Sequence, residues 1–221
     1  MIQTQHLMKS FGAIQALKGV SFTAANGQIT GLLGPNGAGK TTCLRILYGV
    51  IQPDQGSAQI DGYDTQKQTM LAQSRIGALP DNQGLYPRLT ARENIRYFGR
   101  LQGLSGKQLE DNINALVRIL DMDEIIDRRT EGFSSGQRVK VAIARAIIHR
   151  PDNILLDEPT NGLDVMSTRA MRNVIRQLKD EGKCVLFSSH IMQEVTALCD
   201  QIIIISKGEI AACGSPQEIL K

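Results

Sequence analysis

The stretch Gly34-Pro35-Asn36-Gly37-Ala38-Gly39-Lys40-Thr41-Thr42 limits the folds open to this chain more than any other feature. It fits G-x-x-x-x-G-K-[ST], and it lies between the apolar run Gln28 to Leu33 and the helical segment Lys40 to Tyr48. Glycines let a backbone curl so closely that successive N–H groups converge on phosphate oxygens, and the following helix adds the positive end of its dipole. In such a loop Lys40 reaches the β- and γ-phosphates, Thr41 ligates Mg²⁺ and Thr42 adds a hydroxyl on the α-phosphate side. The competing reading is a glycine-rich strand-to-helix turn that binds nothing.

Short apolar runs recur: Arg75 to Leu79, Ile154 to Leu156, Cys184 to Phe187 and Gln201 to Ile205. They read as buried parallel strands, and helical segments at Ser167 to Lys179 and Ile191 to Cys199 alternate with them. That alternation predicts an α/β core with a sheet covered on both faces. Ile2 to Met8, Val20 to Ala24 and Ser57 to Ile60, the last followed by Asp61-Gly62, read as half-buried antiparallel strands of a side sheet. From about Thr90 to Arg150 the pattern is almost wholly helical, with Leu109, Ile113, Leu116, Val117 and Leu120 on one face. The expected organisation is one domain over 1–221, with a core of 1–89 and 151–221 and a helical lobe of 90–150.

Two further strand ends carry chemistry. Ile154-Leu155-Leu156 runs into Asp157-Glu158, placing two carboxylates where α/β sheets collect their ligands. Asp157 would hold Mg²⁺ and Glu158 would orient and polarise an attacking water, although strand-end acids also serve as solvated caps. After Cys184 to Phe187 comes Ser188-Ser189-His190. His190 is either structural or a hydrogen-bond partner of the γ-phosphate or of the attacking water.

Composition narrows the alternatives. A formal charge of +3 and 4% aromatic residues without tryptophan supply neither the basic footprint nor the stacking platform of a nucleic-acid binder, so no nucleic-acid partner is expected. The four cysteines show no metal-ligand spacing, and reduced thiols of a cytosolic protein are expected. Cys43, just past Thr41, is either a small buried hydrophobe or a thiol activated by the helix start. No basic-then-apolar leader opens the sequence, and the longest apolar runs fall far short of the ~20 residues that cross a bilayer, so a membrane role is expected only through another chain.

Ser134-Ser135-Gly136-Gln137 is similar to the ABC signature L-S-G-G-Q. With the glycine loop, Leu155-Leu156-Asp157-Glu158-Pro159-Thr160, Asn161-Gly162-Leu163-Asp164 and His190 in order, the whole chain resembles the ATP-binding subunits of ABC transporters. Ser134 and Gln137 have capping-box spacing, so a helix starting there offers free N–H groups to an anion. The resemblance implies a P-loop NTPase of ABC type, with a mostly parallel sheet core, an antiparallel β side sheet and an inserted helical lobe. It implies ATP and Mg²⁺ as ligands, and a dimer in which Ser134 and the backbone near Gly136 contact the γ-phosphate held by the opposite protomer. Phe11 lies where the family stacks an aromatic on adenine, or is core; Asp164 resembles the acid that communicates between the two sites. Phe133 and Ser135 depart mildly from the signature. In Leu79-Pro80-Asp81-Asn82-Gln83 the family's metal-contacting Gln falls at Asp81, so either Asp81 fills that role or Gln83 does after a local shift.

Gly84 to Ile95 and Ser188 to Glu194 look like ABC-2-type exporters, especially the sodium-efflux group, with Arg88 to Tyr97 near the groove for a permease helix. A separate integral membrane permease, and a place on the cytoplasmic face of the membrane, follow from the resemblance. The alternatives are a soluble ABC ATPase of DNA repair or translation, a class typically carrying long insertions or tandem cassettes, and a phosphotransferase, which would need neither the signature nor a dimer.

Overall fold

In the computed structural model, which describes residues 1–80 and 84–220, the apolar runs become strands of one six-stranded sheet. They are β1 (Ile2–Phe11), β2 (Ile14–Ala24), β3 (Ile29–Leu33), β4 (Gln55–Ile60), β5 (Tyr63–Asp64), β6 (Ile76–Leu79), β7 (Asn153–Leu156), β8 (Cys184–Ser189), β9 (Gln201–Ser206) and β10 (Glu209–Gly214), of which β3 and β6 to β10 form that sheet. Its order is β10-β9-β3-β8-β7-β6, parallel from β9 to β6 and antiparallel only at β10. The side sheet, order β2-β1-β4-β5, is antiparallel throughout.

The inner strands β3, β7 and β8 are buried at every position because both faces of the sheet are covered. Successive residues point to opposite sides: Leu33, Leu156, Phe187 and Ile202 join one core cluster, while Leu32, Leu155, Leu186 and Ile203 join the other. The first face packs against the helices α5 (Ser135–Ile147), α6 (Val165–Asp180) and α7 (Met192–Leu198). The second packs against α1 (Lys40–Leu47) and the side sheet, through Leu44, Leu47, Ile2, Leu7 and Leu17. Each such side chain contributes about 1.5–3 kcal/mol on leaving water. The packing fixes the carboxyl ends of β3, β7 and β8 side by side, with Leu33 opposite Ser189 and Leu156 opposite Phe187.

α2 (Thr69–Ser74), α3 (Ala91–Leu101) and α4 (Gly106–Ile119) complete the large helices, and α8 (Pro216–Ile219) closes the chain. α3 starts at a capping box in which Thr90 and Glu93 bond each other's backbone N–H. The span expected to be almost wholly helical is helical only in α3, α4 and α5. Residues 120–134 form turns, with Asp121 at φ 50°, and one antiparallel bridge joins Thr90 to Arg129.

Strands β5 and β10 carry no sequence signal, since neither has a buried residue. β10 returns from β9 through Lys207-Gly208, φ 51° and 84°, the geometry of a tight hairpin turn. That turn does more than reverse the chain: Gly208 N–H donates to Ala38 O (3.0 Å) and Gly208 O accepts from Lys18 N–H (2.8 Å). It joins the glycine loop to the side sheet.

Candidate nucleotide site

Between Leu33 and α1 the chain makes an open loop in which several N–H groups stay unpaired among the described residues. Ala38 N–H donates to Pro35 O, and the first helical bond runs from Cys43 N–H to Gly39 O at 2.9 Å. The N–H groups of Gly37, Gly39, Lys40, Thr41 and Thr42 find no acceptor among the described residues. A row of orphaned donors at a helix start is the physical signature of an anion cradle. Gly39 has to be glycine: its φ is 111°, and a Cβ would lie 2.6 Å from Ala16 O.

Lys40 is buried, and its Nζ donates to Gly34 O (2.7 Å) and Pro35 O (3.3 Å) while lying 3.2 Å from Glu158 Oε1. Glu158 Oε2 in turn lies 2.9 Å from His190 Nδ1. The register of β3, β7 and β8 thus brings three residues from distant parts of the sequence into one line. Asp157, 3% exposed, accepts from Ser188 Oγ at 2.6 Å and from Thr41 Oγ1 at 3.4 Å. Ser188 Oγ also accepts from Glu158 N–H at 2.9 Å. This bond helps hold Glu158 at φ 48°, a left-handed conformation that costs a β-carbon residue about 1–3 kcal/mol.

A second layer braces the first. The buried carboxylate of Glu194 accepts from Thr160 Oγ1 (2.6 Å) and Ser189 Oγ (3.0 Å), tying the loop after Glu158 to the one carrying His190. The resulting cleft, about 650 Å³, is lined by Ile14, Ala16, Asn36, Gly37, Gly39, Lys40, Thr41, Thr42, Glu158, Asn161 and His190.

The sequence reading picked out the loop, Asp157, Glu158 and His190. It missed Ser188, Glu194, Ile14, Ala16 and Asn161. Ser188 was visible only as a neighbour of His190, and Ile14 and Ala16 approach from the side sheet. Phe11 is half exposed at the tip of the β1–β2 hairpin, with Lys9 Nζ 5.5 Å from its ring centroid, so it is not core. Its cross-strand partner Ile14 lines the cleft and Phe11 does not.

Ser134, Gly136, Gln137 and Asp164 lie elsewhere on the chain. Ser134 and Gln137 form the expected capping box at the start of α5, and Asp164 caps α6. None of the four lines the cleft. Asp81 and Gln83 lie outside the described residues.

Cys43 is a buried hydrophobe: it is fully enclosed, and burial pushes its thiol up to about 12, which excludes the activated thiol considered as the alternative. No group of three or more acidic, His or Cys side chains able to cage a metal occurs among the described residues. The pair of Thr41 hydroxyl and Asp157 carboxylate nevertheless suits Mg²⁺, which takes one or two protein oxygens and completes its shell with phosphate and water. No helix among the described residues is long and apolar enough to cross a membrane.

Residues 17–161 match the family model described as ABC transporter. Over 207 residues, 93% of this chain and 84% of the relative, the sequence is 49% identical to the ABC transporter ATP-binding protein NatA of Bacillus subtilis (strain 168). It is 35% identical to the linearmycin resistance ATP-binding protein LnrL of the same organism, covering 99% of this chain and 70% of the relative. Among solved structures, the ATP-binding subunit of an ABC transporter superposes with a TM-score of 0.90 at 28% identity, covering 99% of this chain and 91% of that one. The dimeric bacterial ABC transporter cassette MJ0796 does so with a TM-score of 0.88 at 26% identity, over 98% of this chain and 99% of that one.

Proposed function

The chain belongs to the ABC transporter family as an ATP-binding subunit, and from that premise we propose a role for each residue of the cleft. The subunit is an ATPase that powers a membrane transporter; it uses ATP with Mg²⁺ and works as a cassette dimer beside a membrane permease.

The unpaired N–H groups from Gly37 to Thr42, in a loop shaped by Gly34, Pro35, Asn36 and Ala38, hold the triphosphate, and Lys40 meets its β- and γ-oxygens. Thr41 and Asp157 hold Mg²⁺, which when bound offsets phosphate charge. Glu158 orients the attacking water and draws off its proton, and His190 fixes that carboxylate and touches the γ-phosphate. Asp81, outside the described residues, is assigned the metal-contacting role by the resemblance alone; an Asp81→Ala protein with unaltered Mg²⁺-dependent hydrolysis would refute this.

Phe11 stacks on adenine, a role supported by its exposure on the hairpin that also carries Ile14 into the cleft. Ser134, Gly136, Gln137 and Asp164 serve the nucleotide of the opposite copy, which accounts for their distance from this chain's own cleft. The observation that carries the assignment is the unbroken line from Lys40 through Glu158 to His190 beside a cradle of orphaned donors.

The core of 1–89 and 151–221 carries the cleft, and the helical lobe of 90–150 carries the signature. The groove of about 400 Å³ between Tyr48, Phe98, Arg145 and His149 receives a permease helix at the cytoplasmic face of the membrane. An exporter of the sodium-efflux group is the cargo reading, supported by the resemblance of 84–95 and 188–194 and by the identity to NatA.

The test is Glu158→Gln. It should abolish steady-state turnover while ATP still binds and drives dimerisation, and unchanged turnover would remove Glu158 from its role. Co-purification with an integral membrane protein separates the transporter from a soluble ATPase.

A further inference from the structure

The first turns of α5 and α6 touch at a point where there is no room for a β-carbon. Gly136 lies one residue inside α5 and is buried. A Cβ built there would fall 2.2 Å from Ser167 Oγ and 3.0 Å from Ser167 Cβ, with Asp164 Oδ2 at 4.0 Å. The φ of Gly136 is not in the left-handed region, so the backbone alone does not demand glycine at this position.

Ser167 is itself fixed. Its N–H donates to Asp164 Oδ1 and its Oγ donates to Asp164 Oδ2, both at 2.8 Å, so both carboxylate oxygens are engaged by one residue. These bonds hold the Asp164 carboxyl below the usual carboxylate range. Beside them Val165 and Met166 are 83% and 71% exposed, large apolar side chains on a face with no cover in this chain.

We propose that Ser167 is a positioning residue that docks the signature turn onto the Asp164 loop within one chain, and that Gly136 is glycine to permit this contact. The inference rests on the reading that Ser134 and Asp164 face the second copy. If they do, the contact sets how far apart the two features lie, so that a copy presents them to its partner as one rigid edge. Any side chain at 136 must push the start of α5 away from α6. Ser167 cannot swing clear without giving up its Oγ bond to Asp164 Oδ2, so the overlap is met by backbone movement or by loss of that bond.

The experiment is a double-mutant cycle of Gly136→Ala, Ser167→Gly and the pair, read as ATPase turnover, as ATP-driven dimerisation in a Glu158→Gln background, and as the thermal midpoint. Gly136→Ala should lower turnover and dimerisation at least about tenfold, because a methyl group is forced into occupied space. Ser167→Gly should cost only a few-fold, since its N–H still bonds Asp164 Oδ1. The pair should be no worse than Ser167→Gly alone, because the obstructing atoms are gone.

A pair as defective as Gly136→Ala overturns the proposal, since glycine would then be needed for something other than Ser167. Should Gly136→Ala fail to fold, recovery of folded protein in the pair supports the contact, and failure of the pair while Ser167→Gly folds overturns it. A Ser134→Ala protein that dimerises normally with ATP would instead sink the two-copy reading, and rescue of the thermal midpoint would still report on the contact.

Discussion

Ser188→Ala is the perturbation whose cost is most directly worked from the site. The hydroxyl is fully buried; it gives its hydrogen to Asp157 Oδ1 at 2.6 Å and takes that of Glu158 N–H at 2.9 Å. Removing it deletes a hydrogen bond to a carboxylate, about 1.5–3 kcal/mol, and strands a backbone donor, about 1–3 kcal/mol. Water entering the space recovers part of this, so a net loss of about 3 kcal/mol is expected. For a chain of this length each kcal/mol lowers the melting midpoint by about 2–4 °C. A fall of roughly 6–12 °C in the nucleotide-free protein, followed by circular dichroism, is therefore expected. Turnover should fall with it, because Asp157 and Glu158 lose their common anchor. A midpoint within about 2 °C of the parent, with turnover intact, would show that the hydroxyl bears none of this load.

Other outcomes follow from the same geometry. Glu158→Gln keeps the shape of the side chain but cannot take a proton, so turnover should fall by about 10²–10⁴ with ATP affinity within a few-fold of the parent; an equal loss of both would assign Glu158 to binding. Thr41→Ala removes the hydroxyl 3.4 Å from Asp157 and should raise the Mg²⁺ concentration for half-maximal turnover, leaving the midpoint of the nucleotide-free protein nearly unchanged. Maleimide at neutral pH should label Cys213, the one exposed thiol among the four cysteines, and leave ATPase activity intact. Cys43, with burial holding its thiol near 12, should react only after unfolding, and mass spectrometry showing early labelling of Cys43 would contradict the packing.

How much of this was written legibly in the sequence depended on burial. Ile29–Leu33, Asn153–Leu156 and Cys184–Ser189 announced themselves because both faces of the sheet are covered, so every position is buried and most are apolar. β10 did not, because an edge strand alternating between exposed and half-buried residues leaves no apolar period. Residues 120–134 scattered Leu120, Met122, Ile125, Ile126 and Phe133 into the core from turns, and in sequence these resemble a helical stripe. In the site, the glycine loop and Asp157-Glu158 were legible because their chemistry demands particular residue types. Ser188 and Glu194 were not, because a serine or glutamate acquires such a role only from the register of β7 beside β8 and the seating of α7. Asp164 and Gly136 carried a motif, yet their mutual contact through Ser167 depends on how two helices meet.

The bond from Gly208 to Ala38 sets a limit on dissection of the molecule. Every motif of the chemistry ends by His190, and a fragment stopping there would look sufficient on paper. It would lack the hairpin tip against which the anion-holding loop is seated, along with the strand that delivers it. An ATP-binding fragment that keeps this seating must therefore run past residue 208, and a nonsense change before Gly208 should loosen the anion-holding loop even though every residue of the cleft is still present.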